Sequence, residues 1–268
     1  VAGSRVVRGL VLACHPGPTL AVTVLTALLA WSAGQAPGRA LLVTSAVLTG
    51  QLSIGWSNDL VDAARDRAVG RADKPLATGA VSERVTRIAC GAALVACVGL
   101  SLACGLASGL VHLVLGVASG WAYNFWFKRT VLSPLPYAVA FGALPAVVTL
   151  ALPDPALPPA WVVGTGALLG VGAHLLNALP DLADDEATGV RALPHVLGAV
   201  VVRRVAPAVL LLGTVVAAYG PGIDPAGWLL LGVCVALAGV AVLARGGVPF
   251  VAAVLIALAN VVALVARS

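Results

Sequence analysis

Apolar runs of 17 to 22 residues, separated by short polar, charged or Gly/Pro-rich stretches, fill most of this 268-residue chain. No alternation at period two runs through them, so a β-barrel is not expected and the runs read as helices. Nine candidate spans fall at 17–34, 40–58, 83–104, 107–127, 136–152, 160–180, 202–219, 226–244 and 247–266. Turns are marked by Ala33-Gly34-Gln35-Ala36-Pro37-Gly38, Pro153-Asp154-Pro155 and Gly220-Pro221-Gly222. The pairs Gly116-x-x-x-Gly120 and Gly166-x-x-x-Gly170 predict close helix contacts. Arg5 to Trp31 has the apolar stretch of a signal peptide, but no small-residue cleavage site follows, so it reads as a retained first helix.

Composition makes these runs membrane spans. The chain is 60% hydrophobic and 10% charged, where a soluble domain carries roughly 25% charged residues. The expected organisation is a single integral-membrane domain over residues 1–268. With the N-terminus in the cytoplasm, nine spans put fourteen of the sixteen basic residues inside and leave only Arg39 and Arg267 outside. That bias predicts a multi-pass plasma-membrane protein with membrane lipids as its surroundings. No basic stripe interleaved with aromatics occurs, so nucleic acid is not an expected partner.

The acidic residues then single out chemistry. Nine of eleven lie in two regions on the predicted cytoplasmic side: Asp59, Asp62, Asp66, Asp73 and Glu83, then Asp181, Asp184, Asp185 and Glu186. Each region opens on the pattern N-x-x-x-D-x-x-x-D, at Asn58-Asp59-Leu60-Val61-Asp62-Ala63-Ala64-Arg65-Asp66 and at Asn177-Ala178-Leu179-Pro180-Asp181-Leu182-Ala183-Asp184-Asp185. The offset, 177 − 58 = 119, also aligns Gly70 with Gly189, Pro75 with Pro194 and Gly79-Ala80-Val81 with Gly198-Ala199-Val200, which reads as an internal repeat. Spacing of four stacks the three oxygen side chains on one helix face. Two such faces would form an oxygen-rich cage for hard divalent cations, and Mg²⁺ in such a site completes its shell with water and a substrate's phosphates. The expected metal ligands are Asn58, Asp62, Asp66, Asp181 and Asp185, with Asp59 a weaker candidate because it leaves the i, i+4 face. Asp184 either replaces Asp185 or faces water.

Around the acids lie Arg65, Arg67, Arg71, Lys74, Lys128 and Arg129. They suit a clamp on a diphosphate leaving group, and each is equally explained as a positive-inside anchor. Tyr123-Asn124-Phe125-Trp126-Phe127 is either an interface belt or a wall facing a carbocation. His174, one turn before Asn177, is placed at the cavity, and His15, His112 and His195 receive no role. Cys90, Cys97 and Cys104, seven apart, are too far apart along a helix to bridge and read as small packing residues.

These residues resemble the UbiA-type intramembrane prenyltransferases over nearly the whole chain. The family's N-D-x-x-D-x-x-x-D motif after helix 2 is matched by Asn58 to Asp66, and its D-x-x-x-D motif after helix 6 by Asp181 to Asp185. Its basic-Pro-Leu-x-x-Gly segment is matched by Lys74-Pro75-Leu76-Ala77-Thr78-Gly79, and its Tyr-then-Lys pair after helix 4 by Tyr123 and Lys128. Ala178 departs from the acid many relatives carry there. The resemblance implies an all-α integral-membrane fold of nine transmembrane helices around a central cavity. It implies an enzyme using two Mg²⁺ ions to ionise an isoprenyl diphosphate and to transfer the prenyl group to an aromatic or lipid acceptor. On that reading Asp62, Asp181 and Lys128 are catalytic, and Arg71, Lys74, Tyr123, Lys128, Arg129 and Asn177 bind substrate. Some relatives cyclise the prenyl cation with no acceptor, so a terpene cyclase is a second reading. A transporter or a prenyl-binding protein without catalysis is a third, weakened because the acids sit at helix ends.

Overall fold

The computed structural model describes residues 2–179, 182 and 191–267. Its described residues are helical and form no strands. Chain contacts divide into two compact units, 1–125 and 126–268.

The first unit begins with α1 (Ala2–Ala13) and α2 (Pro16–Ser32), which meet at a 70° bend. Helix α3 (Pro37–Ala68) follows, then α4 (Glu83–Ala103) and α5 (Leu106–Phe125). Pro16 and Pro37 sit at the first helical positions of α2 and α3, where a missing N–H costs nothing. Ser82 caps α4 by accepting from the Val85 N–H. Within α5, residues His112–Val117 widen into a π-helical stretch. There His112 Nδ1 lies 2.7 Å from the Ser101 hydroxyl of α4, and both groups are buried. A β-carbon on Gly109 would press on the Ser101 carbonyl, so the missing side chain sets how closely α4 and α5 approach.

The second unit contains α6 (Pro134–Thr149), α7 (Ala160–Ala178), α8 (Leu193–Tyr219), α9 (Pro225–Leu243) and α10 (Val248–Arg267). Gly166 and Gly170 let α7 lie on the α6 backbone, since β-carbons there would overlap the carbonyls of Phe141 and Tyr137. Gly120 likewise makes room for Ile54 of α3 within the first unit. Gly116 instead faces His112 of its own helix, so that half of the expected Gly-x-x-x-Gly contact is not interhelical. In the second unit Asn260 of α10 donates to the Leu210 carbonyl and accepts from the Thr214 hydroxyl, a buried polar link between α10 and α8.

All nine expected spans fall on helices. Among the described residues, seven helices are long and apolar enough to cross a membrane, and the bent pair α1–α2 makes up to eight. Helix α6, at 16 residues, is shorter than those seven, so length alone does not give nine crossings. The expected span 40–58 is the middle of a 32-residue helix. At 1.5 Å per residue α3 is about 48 Å long, against about 30 Å of hydrocarbon, so its acidic end has length to spare beyond the apolar layer. The expected span 202–219 starts too late, because α8 begins at Leu193 and kinks at Gly198. The repeat is visible in local conformation: Gly79 has φ 75° and its counterpart Gly198 has φ 76°, and Pro75 and Pro194 are both buried. The five cysteines are free and buried, as expected of packing residues.

Candidate active site

The last three turns of α3 carry the first motif. Asn58, Asp62 and Asp66 share one face, and the continuous helix through Ala68 keeps that register. Three carboxylates here are nearly inaccessible: Asp59 is 2% exposed, Asp62 6% and Asp66 3%. The opposite side of these turns is packed as well. Ala63 packs in a core with Ala13 of α1 and with Leu76 and Val81 of the 69–82 loop, flanked by Val6, Leu10, Trp56 and Leu60. The Lys74-Pro75-Leu76-Ala77-Thr78-Gly79 segment therefore has a structural half and a charged half. Leu76 anchors the loop on the motif, the Gly79 turn brings the Val81 N–H to the Pro75 carbonyl, and Lys74 is delivered to the acids.

Lys74 Nζ donates to Asp59 Oδ1 at 3.0 Å. Arg65 reaches both neighbours on its own helix more loosely, at 3.7 Å from Asp62 Oδ2 and 3.9 Å from Asp66 Oδ1. Arg71 places two nitrogens on the Asp73 carboxylate at 2.9 and 2.8 Å. Those hydrogen bonds hold Asp73 in the loop at a pKa of about 2. Arg67 and Arg87 both bind Glu83, which ties the start of α4 to the end of α3. From α5, buried Asn124 donates to the Ile54 carbonyl and to the Ser57 hydroxyl, immediately before the motif. Tyr123, its neighbour, is half-buried.

His15 is the residue the sequence left without a role. It stands at the bend between α1 and α2, and its Nε2 lies 3.0 Å from Asp59 Oδ1, 3.0 Å from Asn58 Nδ2 and 3.5 Å from Lys74 Nζ. Its partners Asn58 and Asp59 are 43 and 44 residues downstream, too distant for spacing to reveal. The signal available was a His-Pro pair just before the first apolar run, which reads only as a helix start.

In the second unit Lys128 is buried in a short 3₁₀ turn, Phe127–Arg129, while Arg129 is exposed. Asn177 is exposed near the end of α7. His174 is buried, with Nε2 at 2.9 Å from the Ser133 hydroxyl, its ring against Tyr137, and Ser133 accepting from the Leu193 N–H. Asp181, Asp184 and Asp185, with Pro180, lie outside the described residues. Two cavities of about 200 and 240 Å³ are both lined by Arg203, Gly246 and Pro249, and neither includes a residue of the first motif.

Among the described residues no three His, Cys, Asp or Glu side chains converge tightly enough to enclose an ion unaided. The donor set nevertheless suits Mg²⁺, which is held by one or two carboxylates, with water and phosphate oxygens completing the shell. Asp59 Oδ2 is buried with no hydrogen-bond partner, the kind of oxygen whose desolvation a cation repays.

Residues 20–266 match the UbiA prenyltransferase family. No curated protein sequence matches the chain. Solved structures share the fold. An apo UbiA homologue from Aeropyrum pernix K1 has a TM-score of 0.73 at 18% identity, covering 93% of this chain and 98% of its own. A UbiA homologue from Archaeoglobus fulgidus bound to GPP and Mg²⁺ gives 0.70 at 16% identity, covering 97% and 99%. The same homologue bound to DMAPP and Mg²⁺ gives 0.71 at 16%, covering 96% and 98%. A helical membrane chain carrying this acid motif, and matched across 20–266, belongs to the UbiA prenyltransferase family.

Proposed function

We propose that the protein is a Mg²⁺-dependent intramembrane prenyltransferase, which ionises an isoprenyl diphosphate and passes the prenyl group to a hydrophobic aromatic or lipid acceptor. The observation that carries this reading is the set of three buried carboxylates gathered on the end of α3. Asp59, Asp62 and Asp66 lie beside Lys74 and Arg65. Buried carboxylates gathered this closely are costly unless cations join them. The A. fulgidus homologue bound to GPP or DMAPP with Mg²⁺ supports the choice of metal and substrate class.

Asn58, Asp62 and Asp66 hold the metal face of the first motif, and Asp59 contributes Oδ2 while its Oδ1 fixes Lys74. Asp181 and Asp185 supply the second ligand set, on the strength of their matching spacing. When bound, Mg²⁺ neutralises the diphosphate and makes it a better leaving group. Lys74 and Lys128 would add fixed positive charge for the departing diphosphate, and Arg71, Arg129 and Asn177 would bind substrate. Tyr123 presents an aromatic face to the allylic cation. The site lies on the cytoplasmic side of the plasma membrane, where most of the basic residues gather.

Product analysis tests this. Purified protein, Mg²⁺ and geranyl, farnesyl or geranylgeranyl diphosphate should yield a prenylated adduct only after a lipid or aromatic extract is added. A cyclic hydrocarbon or alcohol formed without the extract would replace the transferase with a terpene cyclase.

A further inference from the structure

We propose that His15 is a positioning residue for Asn58: its Nε2 accepts a hydrogen bond from Asn58 Nδ2 and so turns the amide to present Oδ1 to the metal. The inference rests on the Mg²⁺ reading of the first motif.

Backbone geometry first sets His15 apart. With φ 56° and ψ 68° it is the only described non-glycine residue at positive φ. A side chain in that region is disfavoured, and glycine or asparagine would occupy it more cheaply. The surroundings hold it there. The Thr19 hydroxyl donates to the Cys14 carbonyl at 2.8 Å, the Trp56 indole to the Leu10 carbonyl at 2.9 Å, and the Thr19 N–H to His15's own carbonyl at 3.1 Å. Gly55, one turn before Asp59, has no side chain, and a β-carbon there would overlap the Cys14 carbonyl oxygen. Several contacts thus seat one strained histidine over the first two residues of the motif.

Its hydrogen bonding then gives it a task. One ring nitrogen meets three groups: Asn58 Nδ2, Lys74 Nζ and Asp59 Oδ1. It has one proton or one lone pair to offer, not both. Asn58 Nδ2 and Lys74 Nζ are donors only, so their contacts with Nε2 use its lone pair, and the Lys74 ammonium, 3.5 Å from Nε2 and 3.0 Å from Asp59 Oδ1, lies against both acceptors. With Nε2 accepting, Asn58 must show it the amide NH₂, which leaves Oδ1 on the other side. A proton on Nε2 would reverse the amide and offer a cation an NH₂ group, which cannot ligate. Metal ligands are commonly oriented by such partners, whose loss weakens binding.

The test compares variants that share the backbone strain but differ at the acceptor. His15→Gln keeps an oxygen near the reach of Nε2, and His15→Leu keeps bulk without an acceptor. Mn²⁺ binding to the purified full chain is followed by electron paramagnetic resonance, using the free ion as probe. His15→Leu should weaken Mn²⁺ about tenfold, and His15→Gln should stay within about twofold of wild type. Adding His15→Leu to Asn58→Ala should cost clearly less than the two single losses summed, because the two residues share one hydrogen bond. The Mg²⁺ concentration for half-maximal turnover should rise in His15→Leu while kcat at saturating Mg²⁺ is kept. Additive effects, or Mn²⁺ affinity unchanged in His15→Leu while Asn58→Ala weakens it, would overturn the proposal and leave the metal reading standing. A wild-type chain that binds no Mn²⁺ would overturn both. If His15→Leu does not fold, His15→Gln carries the test, and a loss as large as that of Asn58→Ala overturns the proposal.

Discussion

At the scale of single residues, the site depends on an atom that is missing. Gly55 gives the Cys14 carbonyl a seat on α3, and with it the bend that carries His15. Gly55→Ala should cost about 1–3 kcal/mol, as overpacked sites do, and lower the melting temperature in detergent. It should also weaken Mn²⁺ binding, because the α1–α2 bend cannot stay where it is. Asp73 gives a pH prediction. Its folded pKa of about 2 lies below the ordinary value of 3.8, so its bond to Arg71 is complete above about pH 4 and is lost as pH falls through 2. Asp73 is 61% exposed, so the pair adds little stability. Between pH 5 and 9 the rate profile of Asp73→Asn should keep the wild-type shape. A new inflection in that window would show that Arg71 is held in some other way.

At the scale of elements, the helices were legible and their faces were not. Runs such as 226–244 and 247–266 are apolar all round, so they announce a span without saying which side packs inward. Asn260 is the exception once its partner is known: Thr214 and the Leu210 carbonyl take its two ends. Asn260→Ala should loosen α10 from α8 and cost about 0.6–2 kcal/mol, measured by thermal unfolding in detergent. The polar face of α3 was legible because Asn58, Asp62 and Asp66 repeat every four residues within one helix. The seating of α1 and of the bend after it was not, because Arg5 and Arg8 interrupt the apolar pattern and the contacts of Leu10 with Trp56 and of His15 with Asn58 cross more than forty residues. The same limit hid Asn124, whose partners on α3 are 67 and 70 residues away. In each case a short-range pattern reveals a helix or a motif, and a long-range contact decides what completes the site.

At the scale of the whole molecule, the proposed function assigns the two acid motifs to one chemistry. The charge pattern also predicts a testable orientation. The native cysteines are buried, which keeps background labelling low. In intact cells a membrane-impermeant maleimide should modify Asp154→Cys and spare Asp73→Cys, and the reverse pattern would invert the topology. The central claim is that the buried acids on α3 serve metal-dependent loss of diphosphate. Pyrophosphate release from a prenyl diphosphate by the purified protein, with the acceptor extract present, tests it most directly. Release should require Mg²⁺ and fall at least about a hundredfold in Asp62→Ala, because the ion's charge stabilisation is worth several kcal/mol. Release that persists with excess chelator, or that Asp62→Ala leaves intact, would contradict the account.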